Sequence, residues 1–304
     1  MNTRNIRFRS NRVRDIIGLF HEELDAMYGI SEVSVFCEML FEAFLGWNKV
    51  RLLTSKEQTV NQSDLLRFHW ALEDLKRYRP IQHIIGYTDF CGCRIAVSPD
   101  VLIPRPETEE IVNWTLSTLH SPLFALHSPL STLRFLDLCT GSGCIAIALK
   151  KAFSQAEVTA VDVSDKALEI ARRNAESNGT EINFIQADLL ATDCHLSSAD
   201  YHLIISNPPY VMEKERVQMQ PNVLGYEPDT ALFVPDVDPL LFYRAIASVA
   251  CSSLTLDGLL VVEVNETLAD ATAALLGGYG LVPTVHADFR DKPRFVTATR
   301  INNL

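Results

Sequence analysis

The sequence predicts an α/β protein: a mostly parallel sheet with helices on both faces, preceded by a small helical bundle and a β-hairpin linker. Three observations carry this. From Leu133 onward, short β-rich runs alternate with helix-like segments, the pattern of strands joined by crossover helices. Before Tyr78 the apolar residues recur at helical spacing instead. Between the two, prolines at 80, 99, 104 and 106 flank a short hairpin signal and keep the chain from becoming one long helix.

Each element follows from its local pattern. Ile16, Leu19, Phe20 and Leu24 form one helical stripe; Val33, Phe36, Cys37, Leu40, Phe41 and Phe44 form a second; Leu65, Leu66, Phe68, Leu72 and Leu75 form a third. Gly29, Gly46 and the polar residues 54–63 separate them. Residues 87–91 and 94–97 are extended runs about Gly92, a hairpin. A helix begins near Thr108, and residues 121–132, with Pro122 and Pro129, read as a variable loop. Strands are expected at 133–139, 157–163, 182–188, 201–207 and 258–264, with helices at 143–153 and 165–178. Two last runs, 281–286 and 294–300, are expected to close the sheet as an antiparallel hairpin. The expected domains are therefore 1–80, helical; 81–106, linker; and 107–304, the sheet domain, in keeping with a 304-residue chain.

Composition narrows the function. Hydrophobic residues make up 47% and charged residues 21%, which suits a globular protein with a sizeable core. No apolar run reaches the roughly 18 residues that a spanning helix needs, so no membrane role is expected. The net charge of −11 argues against direct nucleic-acid binding, which favours a basic balance, and favours a basic protein partner. The seven cysteines show no Cys-x-x-Cys pair and no zinc spacing. A reducing, cytoplasmic setting and no metal are expected. Arg4, Arg7, Arg9, Arg12 and Arg14 precede the first acid, Asp15; this is either a basic arm before the first helix or an organellar transit signal.

The first chemical signal is a strand that runs into a glycine turn, Leu136-Asp137-Leu138-Cys139-Thr140-Gly141-Ser142-Gly143. Glycine lets backbone approach a ligand closely. Asp162 ends the next strand, 19 residues after Gly143, about the offset at which a carboxylate meets ribose hydroxyls. Asp188-Leu189 ends the third strand, where it can face an adenine amino group. Taken singly, either acid is also what a helix cap looks like; together the three strand ends describe an adenine-nucleoside site. A dehydrogenase would supply Gly-x-Gly-x-x-Gly, which is missing here, as is a Gly-Lys-Ser/Thr phosphate loop.

The second signal is Asn207-Pro208-Pro209-Tyr210 after the fourth strand. Two prolines make a stiff turn without N–H groups, leaving carbonyls free to accept. Asn207 adds a side-chain carbonyl and Tyr210 an aromatic wall. Such a site holds a planar NH2. An amide nitrogen is a poor nucleophile, so acceptors at Asn207 and Pro208 would aim it at an electrophilic methyl and stabilise the charge that develops on it.

With these residues in view, the chain resembles the HemK/PrmC family of peptide chain release factor N5-glutamine methyltransferases. The resemblance runs through Arg79-Pro80-Ile81-Gln82-His83-Ile84-Ile85-Gly86, Leu102-Ile103-Pro104-Arg105-Pro106-Glu107-Thr108-Glu109, the glycine turn, Asn207 to Tyr210 and Tyr226-Glu227-Pro228. It implies a Rossmann-like class I methyltransferase fold with a seven-stranded sheet. It also implies S-adenosyl-L-methionine as cofactor, S-adenosyl-L-homocysteine as product, and class I release factors as protein substrate. By it, Cys139, Thr140, Gly141, Ser142, Gly143, Asp162, Asp188, Leu189 and Asn207 border the cofactor. Asn207, Pro208, Pro209, Tyr210 and Arg105 meet the glutamine, with Asn207, Pro208 and Tyr210 catalytic. Cys139 stands where the family has the first glycine of the turn, and Arg105 is equally a partner for a nearby acid. Glu227 reads as a structural loop acid, since water can deprotonate a methylated amide. The helical domain, which has no constellation of its own, is expected to dock the factor, and the protein to act as a monomer. The competing readings are methylation of a ribosomal-protein glutamine, which the Pro104–Glu109 segment disfavours, and methylation of a nucleic-acid base, which the acidic charge disfavours.

Overall fold

The computed structural model describes residues 8–121, 133–191 and 200–300. Arg4, Arg7, Cys194 and, from residue 122, the expected loop at 121–132 lie outside the described residues. The chain forms two units: Met1–Gly86 with Pro221–Tyr226, and Tyr87–Gln220 with Glu227–Leu304.

The first unit holds helices α1 (Val13–Tyr28), α2 (Ile30–Leu45), α3 (Lys49–Thr54), α4 (Gln62–Leu75) and α5 (Ile81–Ile85). The expected breaks fall where positive φ is required: Gly29 at 86° and Gly46 at 66°. Asn48 and Asn61 cap α3 and α4 by accepting from backbone N–H groups. The three stripes meet in one core around Ile16, Phe20, Leu40, Phe41, Phe68 and Leu72, each such side chain worth about 1.5–3 kcal/mol when buried. Leu66 departs from its expected stripe. It is 55% exposed, as is Trp70 four residues on at 64%, because Phe68 and Leu72 already fill the inward face. Arg9 pairs with Glu22, and Arg12 and Arg14 with Glu57. The later segment joins this unit through the Tyr226 hydroxyl, which donates to the Arg77 carbonyl at 2.7 Å. The unit thus runs past residue 80 to Gly86.

The second unit opens with strands β1 (Tyr87–Phe90) and β2 (Cys93–Ala96), paired antiparallel. Cys91 and Gly92 turn between them with φ of 47° and 72°, both positive as in the type I′ turn, one of the two whose twist matches that of the strands. Helix α6 (Pro106–Leu119) starts on a proline, whose missing N–H is no loss there. The seven-stranded sheet has the order β10-β11-β9-β6-β3-β4-β5. Its strands are β3 (Arg134–Leu138), β4 (Glu157–Asp162), β5 (Asn183–Gln186), β6 (Tyr201–Ser206), β9 (Leu254–Glu263), β10 (Leu281–Ala287) and β11 (Pro293–Arg300). Strands β9, β6, β3, β4 and β5 run parallel, while β11 and β10 close the edge as the expected antiparallel hairpin. A small parallel pair, β7 (Val211–Met212) and β8 (Phe233–Val234), was not visible in the pattern.

Helices cover both faces, and alternation along the strands decides which residue meets which helix. Phe135, Leu203, Ile205 and Val261 share a core with Ile111 of α6 and Ile147 of α7 (Cys144–Ala152). Their neighbours Leu136, Ile204, Leu260 and Val262 pack with Tyr243 and Ile246 of α9 (Leu241–Ser253) and Leu276 of α10 (Ala269–Gly278). Helix α8 (Asp165–Ser177), capped by Ser164, follows β4. The chain runs β3, β4, β5 outward and then returns to place β6 on the other side of β3. Where strand order reverses, the carboxyl ends of β3 and β6 flank a crevice that helices do not fill.

Candidate active site

The glycine turn leaves β3 with Cys139, Gly141 and Gly143 all at positive φ, 60°, 54° and 80°. A strand that must turn at once into a helix needs such angles, and they favour glycine. The turn is tied to the sheet by the Thr140 N–H, which donates to the Val161 carbonyl at 3.0 Å. Gly141 N–H donates to Asp162 Oδ2 at 2.8 Å and Ser164 N–H to Asp162 Oδ1 at 2.9 Å. Burial raises the Asp162 pKa, while the backbone donors oppose that rise. Beneath the turn, fully buried Asp137 accepts from the Thr140 hydroxyl at 2.5 Å and from Ala146 N–H at 3.2 Å, both on Oδ2. Burial pushes the Asp137 carboxyl up to about 7.

A cavity of about 420 Å³ opens at these strand ends. Of the expected cofactor residues, Cys139, Thr140, Gly141, Ser142, Asp162, Asp188, Leu189 and Asn207 line it. Gly143 is not among the lining residues; a Cβ there would stand 3.0 Å from that of Ala171, so this glycine serves the close approach of turn and α8. Asp188 Oδ1 accepts from Leu190 N–H at 2.9 Å, which fixes the side chain at the end of β5. Pro104 and Thr108 reach the same cavity, as does Pro209.

The opposite wall is made by side chains. Asn207 Nδ2 donates to Thr108 Oγ1 at 3.0 Å, and the Thr108 hydroxyl donates to Glu263 Oε2 at 2.7 Å. The Tyr210 hydroxyl donates to Glu263 Oε1 at 2.9 Å. Tyr210 is therefore turned toward the end of β9, packed beside the core under α9, and is not among the cavity-lining residues. Pro208 is buried and likewise off the lining. Burial raises the Glu263 pKa, and the two hydroxyl donors and Arg294 pull it back; burial, and then the neighbouring Glu263 carboxyl, hold the Tyr210 phenol well above its usual range.

Arg105 also has a settled partner. Its Nη2 lies 2.5 Å from Glu227 Oε1, and Ile103 N–H donates to Glu227 Oε2 at 2.9 Å. Glu227 is buried, so the two segments singled out in the sequence clamp one another. Arg105 does not line the cavity. Of its two expected roles, the structure gives it the pairing with an acid.

With this geometry described, comparison with known proteins places the chain. Residues 24–86 match the family model described as PrmC N-terminal domain, and residues 121–224 match Methyltransferase small domain. Release factor glutamine methyltransferase of Flavobacterium psychrophilum is 40% identical over 265 residues, 87% of this chain and 90% of that protein. The chain belongs to the release factor glutamine methyltransferases. The Bacteroides thetaiotaomicron member is 36% identical over 287 residues, 94% of this chain and 99% of its own. The fold is shared more widely: the catalytic domain of hMettl16, solved in complex with MAT2A 3'UTR hairpin 6, has a TM-score of 0.53 at 14% identity, covering 83% of this chain and 87% of that one.

Several residues that build the site are not announced by the sequence. Glu263 was hidden as the last letter of an apolar strand; an acid closing Leu-Leu-Val-Val at a carboxyl end was the available signal. Thr108 was read only as part of a motif. Asn174, 1% exposed, gives its side chain to both backbone groups of Ala96 and to the Ser142 carbonyl, bracing hairpin and turn together. Nothing in the helical pattern of α8 announces that.

Proposed function

We propose that the chain transfers the methyl group of S-adenosyl-L-methionine to the side-chain amide nitrogen (N5) of the glutamine in the Gly-Gly-Gln loop of class I release factors, releasing S-adenosyl-L-homocysteine. One observation carries this reading: Asn207 reaches the cavity with its Nδ2 committed to Thr108. An amide whose nitrogen is engaged has its carbonyl oxygen left to accept. The substrate atom it suits is an N–H.

The cavity fits the cofactor by the chemistry of its donors. Asp162 is oriented by backbone N–H groups, which supports a carboxylate poised for two hydroxyls, as a ribose offers. Asp188 and Leu189 suit an adenine edge, and Thr140 to Ser142 leave room beside the turn for an amino-acid tail. The cofactor supplies a methyl carbon made electrophilic by its sulfonium. Asn207 Oδ1 accepts one N–H of the substrate amide. Pro208 is buried beside the cavity lining, and its carbonyl, to which no donor is bonded among the described residues, is the acceptor assigned to the other once substrate is seated. The two acceptors hold the nitrogen in line with the methyl. They also stabilise the positive charge that grows on it as the N–C bond forms and the C–S bond breaks. The proton then leaves to water. Alignment of this kind removes up to roughly 7–11 kcal/mol of barrier, and acceptors facing developing charge about 3 kcal/mol. Glu227, held by Arg105 and Ile103, takes no part as a base.

The first unit, with its own core and separate family match, is read as the docking surface for the factor, in the cytoplasm where termination occurs. The deciding experiment is incubation with labelled cofactor and purified release factor, followed by mass spectrometry of the loop peptide. One methyl on the glutamine is expected; label on RNA, DNA or a ribosomal protein in its place overturns the assignment. Run beside it, a short Gly-Gly-Gln peptide should react with a kcat/KM far below that of the whole factor, and equal values would remove the docking role.

A further inference from the structure

The oxygen and nitrogen of a carboxamide are nearly equal in size, so shape alone does not decide which of them Asn207 turns toward the cavity; only its hydrogen-bond partners do. Those partners form a directed chain. Glu263 sits at the end of β9, 2% exposed, and Thr108 near the start of α6, 3% exposed. A hydroxyl has one hydrogen to give, and Thr108 gives it to Glu263 Oε2 at 2.7 Å. Its oxygen is left only to accept, and the atom that meets it, at 3.0 Å, is Asn207 Nδ2. Glu263 itself has little freedom to turn: Tyr210 donates to its second oxygen at 2.9 Å, and the Tyr243 hydroxyl donates to its backbone carbonyl at 3.1 Å.

We infer that Glu263 is a positioning residue, acting through Thr108 to hold Asn207 in the one amide orientation that accepts from a substrate NH2. The inference rests on the reading of Asn207 as the acceptor of the glutamine amide. In the opposite orientation Asn207 would present NH2 to NH2, and the substrate would be held by its carbonyl oxygen instead, with the nitrogen turned away from the methyl. The relay thus selects nitrogen over oxygen as the atom methylated. Tyr210 gains a different role in the same scheme: its hydroxyl anchors Glu263.

The test uses the full chain with an intact release factor. Thr108→Val keeps the shape and removes the relay; Thr108→Ser keeps the hydroxyl. Glu263→Gln keeps the volume, and its Nε2 can donate to Thr108, which would turn the hydroxyl hydrogen toward Asn207 and invert the amide. Expected is a fall in kcat of about 10- to 100-fold for Thr108→Val and Glu263→Gln, the loss typical of a misplaced reacting group. Cofactor affinity by calorimetry should stay within about twofold, and Thr108→Ser should restore kcat to within about threefold. A merely structural role predicts losses of cofactor affinity and melting temperature in step with rate, with no rescue by serine. A Thr108→Val chain that binds cofactor normally and keeps its full kcat overturns the relay. If the unsubstituted chain leaves the glutamine unmethylated, the functional reading fails first and the relay with it.

Discussion

The two walls of the cavity are built in opposite ways. On the β4 side, Asp162 is oriented by the backbone N–H groups of Gly141 and Ser164, 21 and 2 residues away in sequence. On the β6 side, Asn207 is oriented by Thr108, 99 residues away, which in turn answers to Glu263, 155 residues from it. A wall made of backbone keeps its shape through many side-chain changes. A wall made of side chains holds an exact proton arrangement, which backbone geometry alone does not specify, and each member is a point of failure. The first suits a ligand recognised by hydroxyls and shape; the second suits a reaction in which the choice between nitrogen and oxygen matters.

Three substitutions bear on this contrast. The largest effect is expected for Asn207→Ala, which removes the acceptor and leaves the other wall intact: kcat should fall about 10²–10³-fold, by analogy with removal of one group facing developing charge, with cofactor affinity nearly unchanged in calorimetry. Parallel losses in both would show that the walls are not independent.

Next is Asp137, beneath the backbone-built wall. Its carboxyl is raised from 3.8 to about 7 by burial, so the folded chain binds a proton that the unfolded chain has already lost between those values. The associated stability is full below 3.8 and is lost as pH rises through about 7. Asp137→Asn removes this dependence. From pH 5 to pH 8, the stability of the variant relative to the unsubstituted chain should increase by about 2.5 kcal/mol; a difference that does not change with pH would mean that Asp137 titrates normally.

The smallest effect belongs to Cys139, held at φ 60°, a left-handed conformation that costs a residue with a Cβ about 1 kcal/mol. Cys139→Gly should raise the unfolding free energy by roughly that amount, read as a higher denaturation midpoint at unchanged slope. A lower midpoint would mean that the Cys139 side chain contributes more in packing than its backbone angle costs.

The same contrast explains what could be read from the chain beforehand. Strand ends, the glycine turn and Asp162 were legible because period, turn chemistry and a fixed spacing all act over a few tens of residues. The sheet was legible too, except that β9 begins at Leu254, ahead of the expected start at 258, and that β7 and β8 are too short to show periodicity. Thr108 and Glu263 were not legible as partners, since only the folded sheet brings α6 and β9 to the same edge of the cavity. Arg105 and Glu227 carried a visible motif each, but their pairing, 122 residues apart, is again a product of topology. Tyr210 shows the cost of reading a motif residue by residue: its ring suggested a wall, and its hydroxyl has its partner on another strand.

Two thiols, Cys139 and Cys144, line the cavity to which the proposed function assigns an alkylating cofactor. Thiolates there would compete with the intended acceptor for the methyl group. Burial, followed by the negative charges of Asp162 and Asp137 for Cys139 and of Asp137 for Cys144, drives both pKa values far above neutrality. A shift in that direction favours the thiol over the nucleophilic thiolate and so works against methylation of the protein at its own cavity wall.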